Sequence, residues 1–173
     1  MTAEVIGEIR TERLLLRPIL AEDLDAYASM YADPEVVRFI SDGSTATRDE
    51  TREWLERTLR RNALEGWDMR TVVRTDDGTV LGRCGIAVRE IEGRIEREVG
   101  YLLAREHWGR GYATEAASAM RDHALGEVGL RRVIALIQHE NEASKHVAAK
   151  LGMRYERDVD FHDRAVELHS LEV

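Results

Sequence analysis

The most informative segment of the chain reads Trp108-Gly109-Arg110-Gly111-Tyr112-Ala113. It follows a strand-like run at residues 98–103 and precedes a helix-like run at residues 114–125. Two glycines at such a junction allow a tight turn and leave backbone N–H groups open to a bulky ligand. The helix start adds unpaired N–H groups and the positive end of its dipole. This combination predicts a binding site for phosphate or pyrophosphate, and therefore a nucleotide-bearing cofactor.

The composition predicts a single globular domain of 173 residues in a reducing compartment. Residues 133–137 form the longest aliphatic run, far below the roughly 20 apolar residues of a membrane span. Glu4 and Glu8 precede any apolar stretch, which argues against a secretory signal. Cys84 is the only cysteine, so we expect no internal disulfide and a cytoplasmic location. The net charge of −8 disfavours nucleic-acid binding, and we expect no membrane partner.

Hydrophobic spacing predicts a mixed α/β sheet of about seven strands flanked by about four helices. A capping-box pattern at Thr47 and Glu50 predicts the start of the second helix, and Asn141 is expected to cap the last one. The sequence Asp76-Asp77-Gly78 predicts a hairpin turn. The predicted strands are residues 14–19, 69–74, 79–91, 95–103, 133–137, 154–161 and 165–171.

Four sequence blocks in this order resemble the GNAT superfamily of N-acetyltransferases, and within it the RimJ/RimL branch. The blocks are residues 11–18 (TERLLLRP), 33–36 (DPEV), 108–116 (WGRGYATEA), and 141–144 (NEAS) followed by 150–153 (KLGM). The resemblance covers nearly the whole chain and implies one GNAT domain over residues 1–173. Trp108 stands where the wider superfamily has Gln or Arg, a departure that leaves the backbone contacts of the loop intact.

The resemblance implies acetyl-CoA as co-substrate, held between two splayed parallel strands at the centre of a mostly antiparallel sheet. Those strands would be residues 99–103 and 133–137, with the pyrophosphate on the N–H groups of residues 109–114. The pantetheine arm would pair with the edge of the first of these strands. The implied cofactor-binding residues are Tyr101, Leu102, Leu103, Trp108, Gly109, Arg110, Gly111, Tyr112, Ala113, Thr114, Asn141 and Ser144.

The resemblance implies transfer of acetyl to a primary amine by direct attack in a ternary complex. An alkylamine reaches neutral pH protonated, and removing its proton costs roughly 4 kcal/mol. Glu98 is the candidate base, on the strand face opposite Val99 and Tyr101; a water chain to solvent is the alternative. Glu96 shares the face of Glu98 and is the second candidate, although either carboxylate can simply be solvated. For Ser144 the resemblance implies a general acid or an orienting group near the sulfur.

Other readings of the same residues remain open at this stage. Cys84 could carry the acetyl group covalently, although a lone strand cysteine is more typical of a core. The six histidines show no ligand spacing, so we expect no metal. A nicotinamide-binding domain would have a third glycine where Thr114 stands. The chain could also bind acetyl-CoA without catalysis.

The acceptor amine is not readable from the sequence. The resemblance allows a protein N-terminus or a small-molecule amine, and it also allows a homodimer. Four acidic residues in or near the early helices are candidates for a cation pocket, although any of them can simply be solvated: Asp23, Asp25, Asp42 and Asp49.

Overall fold

The computed structural model describes residues 7–173, so Glu4 lies outside the described residues. The strands are β1 (Ile9–Arg10), β2 (Leu14–Pro18), β3 (Asp68–Arg74), β4 (Val80–Ile91), β5 (Arg94–Leu103), β6 (Arg132–Ile137), β7 (Arg154–Asp160) and β8 (Ala165–Glu172). The helices are α1 (Leu24–Tyr31), α2 (Pro34–Val37), α3 (Arg48–Leu64), α4 (Tyr112–Asp122) and α5 (Glu142–Lys150). None of the helices in this part of the chain is long and apolar enough to cross a membrane.

All eight strands form one sheet in the order β1-β2-β3-β4-β5-β6-β8-β7. Every neighbouring pair is antiparallel except β5 and β6, which are parallel. These two strands pair only at Glu98 and Ile134. Beyond that pair they separate, which leaves the β6-facing edge of β5 without a neighbouring strand.

Helices cover both faces of the sheet. On one face α4 contributes Ala116, Ala117 and Met120, all fully buried against Val72 and Val99. Small side chains allow the helix to lie close to the strands. On the other face α1 and α3 bury Tyr27, Leu55 and further apolar residues against Met69 and Leu102. Since side chains alternate along a strand, even-numbered residues of β5 face α1–α3 and odd-numbered ones face α4 and α5.

The predicted mixed sheet with a central parallel pair is confirmed, with two differences in number. The sheet has eight strands because Ile9–Arg10 adds a short antiparallel strand beside β2. A fifth helix, α2, begins at Pro34, whose fixed φ suits a first helical turn, and Asp33 caps it by accepting the N–H of Glu35. The largely antiparallel sheet excludes the nicotinamide-binding alternative, which requires a doubly wound parallel sheet.

Candidate active site

The predicted glycine turn connects β5 to α4. Gly109 and Gly111 have φ angles of 72° and 80°, in the left-handed region that glycine adopts without steric cost. The indole N–H of Trp108 donates to the carbonyl of Leu103 over 2.9 Å, and Arg13 donates to the carbonyl of Arg110 over 3.0 Å. These two bonds fix the turn against the sheet from both sides.

The backbone N–H groups of the turn and of the first helical residues have no acceptor in the part of the chain that the structure describes. Within residues 7–173, no carbonyl or side chain accepts a hydrogen bond from the N–H groups of residues 109–114. The helical ladder begins with the N–H of Glu115, which donates to the carbonyl of Gly111 over 3.0 Å. Consecutive free N–H groups at a helix start suit an anionic ligand.

A cavity of about 1120 Å³ crosses the sheet where β5 and β6 separate. Its lining includes Gly100 and Tyr101 of β5 and the segment 135–138 at the end of β6. A Cβ atom added to Gly100 would meet no atom within 4 Å, so this glycine keeps the passage open on the α1–α3 face. The glycine turn does not line this cavity, but it directly follows the strand that does.

On the α5 side, three polar residues that the sequence analysis singled out lie together in the cavity wall: Tyr101, Asn141 and Ser144. Asn141 caps α5 by accepting the N–H of Ser144 over 3.1 Å. The hydroxyl of Tyr101 donates to Ser144 Oγ over 3.0 Å, which leaves the Ser144 proton free to point elsewhere. Burial raises the pKa of Tyr101 to about 12, so its hydroxyl keeps its proton at neutral pH.

On the opposite side, Glu98 lines the cavity and forms an ion pair with Arg89. Its carboxylate accepts from Arg89 Nε over 2.6 Å, and its side chain is only 13% exposed. The Arg89 guanidinium lies 5.1 Å from the ring centre of Trp67 and 5.2 Å from that of Phe161. The two aromatic rings restrict Arg89, and Arg89 in turn orients the Glu98 carboxylate.

Glu96 does not share this position. It is buried and accepts from Arg132, which also pairs with Glu156 and Glu172. None of these four residues lines the cavity, and Glu96 is therefore part of a structural ion-pair network.

Cys84 is fully buried in the core on the α4 face and does not line the cavity. Burial raises the pKa of its thiol to about 12, so the reactive thiolate is scarce at neutral pH. Both observations argue against a covalent role for this cysteine.

The four acidic residues named as candidates do not form a common cation pocket. Asp23 is buried and paired with Arg17, whereas Asp25 and Asp49 are exposed and paired with arginines of α3. Of the four acidic residues only Asp42 lines the cavity, at its rim. The expected pocket does not form because each carboxylate interacts with a different local group, and the four carboxylates do not line one cavity.

The chain matches the model of the acetyltransferase (GNAT) domain family over residues 13–154. This chain belongs to the GNAT family. It is an N-acetyltransferase, of the class of enzymes that take acetyl groups from acetyl-CoA. The match includes the glycine turn, the cavity-lining part of β5 and the start of α5.

Relatives of this N-acetyltransferase align over most of its length. YkkB of Bacillus subtilis is 36% identical over 152 residues, which are 86% of each chain. The FsC-acetyl coenzyme A-N(2)-transacetylase of Aspergillus fumigatus is 30% identical and covers 90% of this chain and 68% of the fungal one.

Solved structures show the same fold. An acetyltransferase from Agrobacterium tumefaciens superposes with a TM-score of 0.83 at 28% identity, covering 97% of this chain and 95% of the other. RimL, a ribosomal L7/L12 α-N-protein acetyltransferase solved with coenzyme A, superposes with a TM-score of 0.78 at 16% identity, covering 96% and 98%.

Sequence reasoning missed much of the cavity wall of this N-acetyltransferase. Tyr101 was expected to contribute backbone rather than a hydroxyl, although its odd position on β5 places it on the α5 face. Arg83, Arg89 and Trp67 were not singled out at all. Among these three residues, only the two arginines have a sequence signal: Arg83 and Arg89 lie six residues apart on the same face of β4.

Proposed function

We propose that this enzyme transfers the acetyl group of acetyl-CoA to a primary amine by direct attack in a ternary complex. The amine nitrogen bonds to the thioester carbonyl carbon, the carbon–sulfur bond breaks, and one proton leaves the amine while the CoA thiolate gains one. The observation that carries this proposal is the cavity that crosses the sheet at Gly100. It allows a thioester and an amine to meet from opposite faces.

Acetyl-CoA would bind along β5 and the glycine turn. The free N–H groups of residues 109–114 suit its pyrophosphate, and the unpaired edge of β5 beyond Glu98 offers backbone groups to the pantetheine arm as an added strand would. Asn141 keeps its amide N–H₂ group free for this arm, because its capping bond uses only the side-chain oxygen.

Glu98 is the group proposed to take the amine proton, directly or through one water. It lines the cavity on the α1–α3 face, where the acceptor would enter, and Arg89 holds its carboxylate in place. Removing a proton at this stage matters because only the neutral amine has a free electron pair for attack. Glu96 has no such access.

Ser144 is proposed to protonate the departing thiolate. Because the Tyr101 hydroxyl donates to Ser144 Oγ, the serine proton can be directed into the cavity, toward the pantetheine end of the donor. Tyr101 is then a positioning residue, and the serine regains its proton from solvent after CoA leaves. The cavity wall in this way supplies a base on one face and an acid on the other.

The finer assignment to the RimJ/RimL branch is part of the proposal. It is supported by the four sequence blocks and by the fold shared with RimL. A cytoplasmic location is proposed because Cys84 is the only cysteine of the sequence, which therefore does not rely on an internal disulfide. A homodimer is also proposed from the resemblance, and sedimentation analysis would test it.

The deciding experiment is a thiol-release assay with acetyl-CoA over a panel of amines and peptides with free N-termini. We expect saturable release with at least one acceptor class and an N-acetylated product by mass spectrometry. Micromolar acetyl-CoA binding without turnover of any acceptor would point to a non-catalytic binder.

Cys84→Ala should retain most activity, and an inactive but folded variant would overturn direct transfer.

A further inference from the structure

The acceptor side of the cavity contains five arginines, and they differ in their partners. Arg57, Arg61 and Arg89 each have a carboxylate within 4 Å, namely Glu53, Glu65 and Glu98. Arg164 lies exposed at the rim and donates to the carbonyl of Asp42. Arg83, deeper in the wall, has no carboxylate within 4 Å among residues 7–173.

The side chain of Arg83 is held in place by groups other than a carboxylate. Its Nε donates to the Tyr31 hydroxyl over 3.0 Å, and Nη1 contacts the sulfur of Met69 at 3.6 Å. The guanidinium lies 5.4 Å from the ring centre of Trp54. Three of its five N–H groups therefore find no acceptor among the described residues. A half-buried guanidinium with free N–H groups is matched by an oxyanion, which accepts two of them side by side.

Arg83 also lies at a useful distance from the reaction centre. Gly85 pairs with Gly100, the open point of the sheet, and Arg83 is two residues further along β4, about 7 Å away. Both Arg83 and Glu98 face α1–α3, the side proposed for acceptor entry. An amine placed at Gly100 would thus have the guanidinium within the reach of a short linker.

We propose that the acceptor of this enzyme is an amine that also carries an oxyanion group, a carboxylate or a phosphate, and that Arg83 binds this group. The inference rests on the proposed acetyl transfer and names the acceptor class for the same cavity. Arg83 disfavours polyamines, since it places a positive charge that contacts no carboxylate of the described residues on the acceptor side.

The test compares matched amines at a fixed acetyl-CoA concentration. Linear ω-amino carboxylates and ω-aminoalkyl phosphates of two to six carbons are set against n-alkylamines and α,ω-diamines of equal length. We expect kcat/KM to be about 10- to 100-fold higher for the best anionic amine than for its neutral and dicationic counterparts. The two anionic series distinguish carboxylate from phosphate as the preferred group.

Variants then assign the preference to Arg83. Arg83→Met should reduce the anionic-to-neutral ratio of kcat/KM to near one, and Arg83→Lys should restore part of it. Tyr31→Phe, which removes the bond to Nε, should lower the ratio partially and serves if Arg83→Met does not fold. Arg60→Met removes an equal charge from the exposed, non-cavity side of α3 and should leave the ratio unchanged.

The outcomes separate this inference from the acetyl transfer itself. Turnover with a preference for neutral or dicationic amines would overturn the oxyanion proposal and leave the transferase proposal standing. If no amine turns over, calorimetry of the same amines with the CoA-saturated protein still decides. Tighter binding of anionic amines that is lost in Arg83→Met would support the proposal, and binding without charge preference would refute it.

Discussion

The hydroxyl of Tyr101 and Oγ of Ser144 lie 3.0 Å apart in the cavity wall, joining β5 to the first turn of α5. The bond links a strand residue to a helix residue that lies 43 positions later in the sequence. Because Tyr101 donates, the serine keeps its own proton for another acceptor. This arrangement couples the two hydroxyls, so that the bond from Tyr101 orients the Ser144 proton.

Ser144→Ala should lower kcat by about 100-fold, within the range usual for loss of a general acid. Tyr101→Phe should lower kcat less, by about tenfold, because it removes only the positioning bond. Steady-state kinetics with saturating acetyl-CoA would measure both. Acetyl-CoA affinity should change little in either variant, and a fully active Ser144→Ala would exclude the serine as the acid.

Glu98→Gln should lower kcat/KM for the amine by about 100-fold, since the amide cannot accept a proton at neutral pH. Glu96→Gln is the matched control from the same face of β5. It should lose about 1–3 kcal/mol of unfolding free energy, because it weakens a buried bond to Arg132, yet keep its kcat. Equal activity of the two variants would favour a water chain as the route for the proton.

Gly111→Glu should weaken acetyl-CoA binding by more than 100-fold, because a carboxylate would repel the pyrophosphate proposed to bind there. Gly129→Glu is the control, since its φ of 75° resembles the 80° of Gly111 and the backbone cost is similar. An added Cβ at Gly129 meets no atom within 4 Å. Calorimetry should show near-normal affinity for the control, and an unaffected Gly111→Glu would refute the proposed location of the pyrophosphate.

Asp23→Asn should lower the free energy of unfolding by about 3 kcal/mol, because it leaves the partly buried Arg17 guanidinium without its carboxylate. Urea denaturation at pH 7 would measure this. Asp25→Asn, at a carboxylate that is 81% exposed, should cost less than about 0.5 kcal/mol.

The effect of Asp23 should depend on pH. Burial acts to raise the pKa of Asp23, but hydrogen bonds from Arg17, the Leu20 N–H and Thr71 outweigh it and hold the pKa below its ordinary value of 3.8. The unfolded chain therefore takes up this proton first as the pH falls. The stabilisation is complete above about pH 4 and is lost as the pH falls through the lower, folded-state pKa. The difference in unfolding free energy between the wild type and Asp23→Asn should be smaller at pH 3 than at pH 7. A difference that stays constant with pH would contradict this account.

The parts of the fold that depend on neighbouring residues were predictable. Thr47 and Glu50 cap α3 reciprocally, and Asn141 caps α5, as the sequence indicates. Asp76-Asp77-Gly78 separates β3 from β4 as expected. Strand β1 was missed because a two-residue strand has no periodicity to detect, and α2 was read only as a break at Pro34.

The candidate site divides in the same way. The glycine turn, Asn141 and Ser144 belong to local patterns of turns and caps, which act over three to six residues and so can be read along the chain. The residues on the acceptor side of the cavity do not follow a local pattern. Arg83 donates a hydrogen bond to Tyr31, which lies 52 residues away in the sequence, and no spacing rule predicts this contact. Burial and ion pairing are decided when β4, α1 and α3 come together. That assembly gives Arg83 no carboxylate within 4 Å among residues 7–173 and gives the acidic residues separate partners, because each charged group pairs with the nearest group in the folded chain.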